Sequence, residues 1–283
     1  MPLPSYLQFR QPPNLLAQAS TPRPTVPASA PRVPALPTAS GTSEVYLVGG
    51  VLRSKGSHDQ SAHHFYTSAA RVARDRAAAL KKTGSPDKVT VIMYEPAYEV
   101  RATNDKKTDP VTGKLDPQYH RKIMETAAKR DGYEAKFVRS HHEMDNEMAK
   151  ISTQTPIKNG GYFGHSDKDD FFLDYGEHAP GSGSEDVATK YLSAGDLKAA
   201  GVKFHPDAHF ASYGCSQGDA GGMMEQLSKD HNIKTTGSDG KSEYESVGRG
   251  YSIPRSTNGY TSYQNGKSIP PLVKAPPPPP PKP

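Results

Sequence analysis

Residues 44–269 alternate short apolar runs with helix-like stretches, and this alternation limits the fold more than any other feature. Strand-like runs include VYLV at Val45–Val48, KVTVIMY at Lys88–Tyr94 and AHFASY at Ala208–Tyr213. Segments with helical spacing separate them, as at residues 60–82. Strands that alternate with helices form mainly parallel sheets with helices on their faces. The sequence therefore predicts an α/β protein, a three-layer α/β/α sandwich.

Further elements complete this prediction. Three more segments are predicted strands: Glu134–Val138, Gly161–Gly164 running to His165, and Ile233–Thr236 as the last core strand. Four segments are predicted helices: Pro117–Asp131, His142–Ser152, 193–200 and Asp219–Lys229. Ser193 and Asp196 have the spacing of a helix cap. Asp170–Tyr175 is predicted to form a hairpin with the strand before His165, whereas 101–117 and 244–269 are predicted to be a loop and an irregular segment.

The two ends of the chain differ from this middle part. Residues 1–43 contain ten of the 27 prolines and no acidic residue, and residues 270–283 contain nine more prolines and again no acid. Segments poor in apolar and aromatic side chains cannot offset the entropy of ordering the chain. We therefore predict a disordered proline-rich tail at 1–43, an α/β domain at 44–269, and a disordered tail at 270–283 with polyproline II character at Pro276–Pro281.

The tails also account for the basic character of the chain. Five cations lie in them, and this number equals the formal net charge of +5; they are Arg10, Arg23, Arg32, Lys274 and Lys282. Residues 44–269 consequently carry 30 basic and 30 acidic residues. Nucleic-acid binding requires a clustered positive face, so the neutral middle part argues against a nucleic-acid partner.

The single cysteine, Cys215, excludes an internal disulfide and suits a reducing compartment. No run approaches the ~18 apolar residues of a membrane span. The N-terminus has no apolar stretch of a Sec signal peptide and is broken by Pro12–Pro13. Its Ser/Pro-rich, acid-free composition resembles the secretion signals of bacterial type III effectors, or else it is a simple disordered extension. We expect export by a non-Sec route into a host or target cell, and otherwise a cytoplasmic location.

Cys215 and His165 are the best candidates for chemistry. Cys215 follows an apolar strand and is predicted to precede a helix N-terminus, whose partial positive charge favours a thiolate. His165 ends the preceding long strand in the same way. If the two strands are neighbours, both side chains emerge at one edge of the sheet, where an imidazole can exchange protons with a thiol and a leaving amine.

Chain order separates this pair from other cysteine and serine enzymes. Papain-like enzymes place the histidine well after the cysteine, and here the later histidine is His231. Adenain-type enzymes carry a glutamine shortly before the cysteine, and no glutamine lies between His165 and Cys215. Gly214–Gly218 also matches G-x-S-x-G, the nucleophile elbow of α/β-hydrolases. That alternative makes Ser216 the nucleophile and again requires His231.

Three segments carry a family resemblance: GYFGHSDKDDFFLDYG at 161–176, LSAGDLKAAG at 192–201, and the segment 209–242 that contains Tyr-Gly-Cys. They resemble the caspase–gingipain superfamily of cysteine peptidases, most closely its bacterial His…Tyr-Gly-Cys domains in surface and toxin proteins. The resemblance covers about 80 residues and implies a caspase-like, mostly parallel sheet. It makes Cys215 the nucleophile and His165 the catalytic base or acid.

The resemblance also implies an oxyanion hole and a peptide site. The backbone N–H groups of Cys215 and Ser166 would form the oxyanion hole. A protein or peptide substrate would bind beside the strand edge, and we assign Gly164, Asp167 and Ser238 to its binding. The family usually has a glycine where this chain has Ser166, and glycine allows backbone conformations that serine resists.

Several of these residues also have ordinary structural interpretations. A free cysteine is common as a small buried core residue, and Asp167 with its charged neighbours is typical of a solvated turn. Two histidine clusters, His58-Asp59 with His63-His64 and His141–Asp145, lack the spacing of a zinc site. No nucleotide motif follows Gly49-Gly50. We therefore predict neither a metal nor a cofactor.

These observations predict a secreted bacterial effector or toxin that acts as a cysteine peptidase. A first alternative is a non-catalytic interaction protein on the same scaffold, whose proline-rich tails bind SH3-, WW- or EVH1-type domains. A second alternative is a serine hydrolase that uses Ser216.

Limited proteolysis should trim the chain to roughly residues 44–269 without lowering its melting temperature, because the predicted tails contribute no packed core. Mass spectrometry of the stable fragment and a thermal melt provide the measurement. Slow amide hydrogen exchange within residues 1–43 of the isolated protein would contradict the expectation.

Overall fold

The computed structural model describes residues 41–52, 63–175, 190–247 and 251–270. The predicted tails, 1–43 and 270–283, lie outside the described residues except for a few positions beside the domain. In the described part of the chain, no helix is both long and apolar enough to cross a membrane.

The core of the molecule is one eight-stranded sheet. From one edge to the other, its strands are β14 (Lys267–Ile269), β13 (Tyr260–Gln264), β10 (Lys234–Ser238), β9 (Phe204–Ser212), β5 (Ile157–Phe163), β1 (Ser43–Val48), β3 (Lys88–Tyr94) and β4 (Glu134–Val138). The six strands from β10 to β4 are parallel, and β13 and β14 extend the sheet in antiparallel fashion.

Helices and small sheets complete the described part of the chain. The helices are α1 (His64–Thr83), α2 (Glu95–Asn104), α3 (Tyr119–Asp131), α4 (His141–Gln154), α5 (Ala194–Ala199) and α6 (Met223–His231). Three two-stranded sheets pair β2 (Gly50–Val51) with β7 (Asp174–Tyr175), β6 (Asp170–Phe172) with β8 (Tyr191–Ser193), and β11 (Ser242–Val247) with β12 (Tyr251–Ser256).

Strand β1 shows how the sheet divides the interior into two cores. Val45 and Leu47 belong to one buried cluster, and Tyr46 and Val48 belong to the other, because successive side chains of a strand point to opposite faces. Helices α4, α5 and α6 complete the first cluster, and α1 and α3 complete the second. Helices thus cover both faces of a mostly parallel sheet, and the predicted α/β class is confirmed.

Local sequence signals explain several helix ends. Gly84 ends α1 and Gly132 ends α3, each in the left-handed conformation that glycine adopts without strain. The predicted cap at the start of α5 is confirmed, since Ser193 and Asp196 form a reciprocal capping box.

The structure differs from the sequence prediction after β3 and after β10. Helix α2 begins directly after β3 with Pro96 in its first turn, and the predicted loop at 101–117 starts inside it. The segment 244–269 is not irregular, because most of it forms the hairpins β11–β12 and β13–β14. Asn265-Gly266 turns the second hairpin with positive φ at both residues, which is the backbone preference of a tight hairpin turn.

The predicted hairpin between the strand before His165 and Asp170–Tyr175 is largely wrong. Strand β6 pairs with β8, and β7 pairs in parallel with β2. A single bridge between Ser166 and Phe171 is the pairing that the two segments share.

Two histidines, the buried His120 and the partly buried His63, meet between α1 and α3. Nδ1 of His120 lies 2.8 Å from Nε2 of His63. Burial, and for His63 also the neighbouring His120, lowers the pKa of both side chains to about 4. A histidine in an unfolded chain has a pKa of about 6.5. The unfolded chain therefore binds more protons below that pH, and stability is lost as the pH falls from about 6.5 towards about 4.

The free energy of unfolding should fall by roughly 2–4 kcal/mol between pH 7 and pH 5 because of this histidine pair. In His120→Gln, one titrating group is gone and an amide can still bond to His63, so the fall should be smaller. Urea titrations at the two pH values provide the measurement, with the exposed His142→Gln as the control. An equal fall in wild type and His120→Gln would count against this assignment.

Candidate active site

Strands β5 and β9 bring Cys215 and His165 to the same edge of the sheet. The two strands are parallel neighbours, and their last paired residues are Tyr162 and Ser212. His165 and Cys215 each lie three residues beyond that pair. The condition on which the sequence argument depended, that the two strands are adjacent, is therefore confirmed.

The edge where they emerge is the position at which open α/β sheets bind ligands. From β1, the chain continues outward through β3 and β4 on one side, and through β5, β9 and β10 on the other. The strand order therefore reverses between β1 and β5, and clefts form at the carboxyl ends of strands around such a reversal. His165 follows β5 at this point, and Cys215 follows the next strand outward.

Gly214 lets the loop of the cysteine pack directly on the loop of the histidine. A Cβ atom at Gly214 would lie 2.7 Å from Cβ of Ser166 and even closer to its Oγ. The hydroxyl of Ser166 donates a hydrogen bond of 2.8 Å to the carbonyl oxygen of Cys215. Four non-glycine residues in the described ranges have a positive φ, and Ser166 is not among them. The backbone at this position therefore does not require the glycine that the family resemblance leads us to expect.

The bridge between Ser166 and Phe171 leaves the N–H of Ser166 unused. The bridge consists of hydrogen bonds from Asp167 N to Asp170 O, 3.3 Å, and from Phe172 N to His165 O, 2.9 Å. Among the hydrogen bonds of the described residues, neither Ser166 N nor Cys215 N donates to an acceptor. Both N–H groups thus lack an acceptor among the described residues, and their pairing in an oxyanion hole stays a prediction.

The ring of His165 is half-buried between aromatic side chains. Its centroid lies 5.0 Å from that of Phe65 and 4.1 Å from that of Tyr175. The hydroxyl of Tyr162 donates a 2.6 Å hydrogen bond to the carbonyl oxygen of His165. Backbone and ring of His165 are therefore both held in place.

Cys215 is a half-buried residue. The backbone N–H of Ser242 donates to Sγ at 3.4 Å, and the hydroxyl of Ser242 donates to Gly214 O at 3.0 Å. Ser216 N donates to Gly240 O at 2.6 Å. The segment that follows β10 thus packs along the cysteine and supplies one hydrogen-bond donor to its sulfur.

The predicted helix at Asp219–Lys229 begins later than the sequence suggested. Residues 215–222 form turns, and α6 starts at Met223. Cys215 therefore does not lie at a helix N-terminus, because α6 starts eight residues further along the chain. The helix starts late because Gly221 and Gly222 do not favour a helical turn. Gly221 has a positive φ, and Gly222 is extended.

The other residues assigned to substrate binding have defined structural contacts. Gly164 is buried and donates its N–H to the hydroxyl of Tyr244, 3.2 Å away. The exposed Asp167 accepts the N–H groups of Asp169 and Asp170, 2.9 Å each, in its own turn. Ser238 is fully buried, and its carbonyl oxygen accepts the N–H of Gly218. A role of these three residues in substrate binding stays a prediction.

Tyrosines of the segment 244–263 hold the backbone around the site. The hydroxyl of Tyr244 donates to Tyr213 O at 3.0 Å, and that of Tyr263 donates to Gly218 O at 2.7 Å. Burial raises the pKa of Tyr244 well above its usual value, so it remains a neutral phenol. The sequence contains these tyrosines, but it gives no sign of the backbone oxygens that their hydroxyl groups bind.

The structure does not bring His231 to Ser216. The ring of His231 packs on Phe204, with centroids 4.9 Å apart, at the start of β9. Ser216 follows the other end of that strand. Of the two histidine clusters considered for a metal, His58-Asp59 lies outside the described residues. Within the ranges that the structure describes, no three His, Cys, Asp or Glu side chains are grouped so that they could hold a metal ion.

Gly214→Ala should destabilise the protein by roughly 1–3 kcal/mol, because the added methyl group overlaps the side chain of Ser166. The double variant Gly214→Ala/Ser166→Gly removes the overlapping atoms and should recover much of that loss. Urea titration measures both, with Gly195→Ala as the control, since its new Cβ would meet no atom closer than 3.5 Å. A double variant no more stable than Gly214→Ala would refute this account.

The chain matches no protein-family model, no curated protein and no solved structure.

Proposed function

We propose that this protein is a cysteine peptidase on a caspase-like α/β/α scaffold, with Cys215 as the nucleophile and His165 as its acid–base partner. The observation that carries the proposal is the position of the two residues. They follow adjacent parallel strands by the same number of residues, beside the reversal of strand order. A cysteine with a histidine as its base is one of the residue pairs that carry out nucleophilic acyl transfer.

The available groups suffice for peptide hydrolysis. His165 takes the proton of the thiol, and Sγ attacks the carbonyl carbon of the substrate while the carbonyl electrons move to the oxygen. The N–H groups of Cys215 and Ser166 stabilise that oxyanion. His165 then protonates the leaving nitrogen, the C–N bond breaks, and a thioester remains. Water, deprotonated by His165, attacks the thioester and releases the acid and the thiol.

The sequence also suggests how the protein is exported and where it acts. The acid-free, Ser/Pro-rich residues 1–43 suggest export by a non-Sec route, and a lone cysteine suits action in a reducing cytosol. The substrate class is accordingly a protein of the host or target cell. The interaction-protein alternative differs in one measurable respect, since it does not require Cys215 to be reactive.

Cys215→Ala and His165→Ala should each lower activity by a factor of about 10³ or more, because each removes a partner of the reacting pair. The measurement is labelling by a thiol-reactive peptide-like probe, together with cleavage of a peptide library. Circular dichroism verifies that the variants are folded. Ser216→Ala serves as the matched control, which should remain active.

Three outcomes would overturn the proposal. Cleavage at the wild-type rate by folded Cys215→Ala excludes the cysteine peptidase. Loss of activity in Ser216→Ala alone indicates the serine hydrolase. A native thiol that reacts slowly with iodoacetamide at every pH, regardless of His165→Ala, indicates the interaction protein.

A further inference from the structure

Sheet hydrogen bonds do not fix the separation of Cys215 from His165. The ladder between β5 and β9 ends at Tyr162 and Ser212, and both candidate residues lie in the loops beyond. We call residues 164–170 the His loop and residues 214–222 the Cys loop. The relative position of the two reacting groups depends on the contacts between these loops.

The side chain of Gln217 joins the two loops. Its Nε2 donates to the carbonyl oxygens of Asp167 and of Asp170, the latter at 3.3 Å. Both acceptors are carbonyls, so the amide nitrogen must face them. Gln217 lies two residues after Cys215, and Asp167 lies two residues after His165. One amide therefore connects the immediate surroundings of the nucleophile with those of its partner.

The backbone of Gln217 has a rigid base. Gly237 in β10 packs so closely that a Cβ there would lie 2.5 Å from the carbonyl carbon of Gln217. The next residue, Gly218, donates its N–H to Ser238 O at 2.8 Å. The Cys loop is thus pressed against β10, and the side chain of Gln217 reaches from that base to the His loop.

An amide at this buried position lowers the stability of the fold, because one of its polar atoms has no partner among the described residues. Gln217 is fully buried, and its Oε1 has no hydrogen-bond donor in the described part of the chain. An apolar side chain of similar length would avoid burying that unpaired oxygen. The feature that an apolar residue cannot supply is the pair of N–H bonds to the His loop.

We propose that Gln217 is a positioning residue, which holds the His loop against the Cys loop so that His165 stays in reach of Cys215. This inference rests on the proposed function. Gln217 does not touch the substrate in this role and acts through the geometry of the pair. A displacement of about 1 Å in such a pair can lower the rate by up to about 100-fold.

A double-mutant cycle on the full-length protein tests this role. The second-order rate of iodoacetamide labelling is measured by intact mass, which is unambiguous because Cys215 is the single cysteine. The proteins are wild type, Gln217→Met, His165→Ala and the double variant. Gln217→Met keeps the length of the side chain and loses the amide. Gln226→Met is the matched control, since its amide binds Asp230 on the exposed surface of α6.

Gln217→Met should slow labelling by about tenfold or more, while it should change the rate less than about twofold in the His165→Ala background. Gln226→Met should label like wild type. An equal slowing in both backgrounds, or none in either, overturns the positioning role. Labelling that His165→Ala does not change overturns the proposed function and this inference with it. If the melting temperature shows that Gln217→Met does not fold, Gln217→Asn, one methylene shorter, takes its place with the same expectations.

Discussion

The parallel hydrogen bonds between β5 and β9 are the interaction on which the candidate site depends. They set Tyr162 level with Ser212, so the two chains leave the sheet at the same height and on the same side. A shift of one residue in this register would turn side chains to the opposite face and separate the cysteine from the histidine. The sheet therefore fixes which residues can meet, while the loops beyond it fix how closely they meet.

The segment after β10 links these two loops to the rest of the molecule. Tyr244 receives the N–H of Gly164 and donates to Tyr213 O, so one phenol bonds to both chains as they leave the sheet. Because burial raises the pKa of Tyr244 well above its usual value, the hydroxyl keeps its proton and its donor role at neutral pH. Ser242 from the same segment contacts the sulfur. The surroundings of the cysteine thus combine backbone from three parts of the chain.

Strands that form continuous apolar runs could be predicted from the sequence. Strands β3 and β4 have the predicted bounds. Strand β3 is buried from Val89 to Tyr94 and therefore reads as an apolar run, whereas in the edge strand β4 only Val138 is buried. The order of His165 and Cys215 at strand ends was also predictable. Hairpin β13–β14 was missed because its strands are polar and lie at the sheet edge, although Asn265-Gly266 is a recognised turn signal. Gln217 could not be found, since its acceptors are backbone carbonyls 50 and 47 residues away.

The contact between Ser166 and Gly214 shows why a departure from a motif has to be judged in three dimensions. The two chains cross so closely that the space between them holds one small side chain, and here Ser166 occupies it. Gly214 does not have a positive φ, so its own backbone conformation does not require a glycine. The glycine is needed instead because a Cβ at this position would overlap Ser166 in the neighbouring loop. The serine gains a hydrogen bond to Cys215 O that glycine could not make. The bond uses the side chain of Ser166, and the N–H of Ser166 has no acceptor among the described residues.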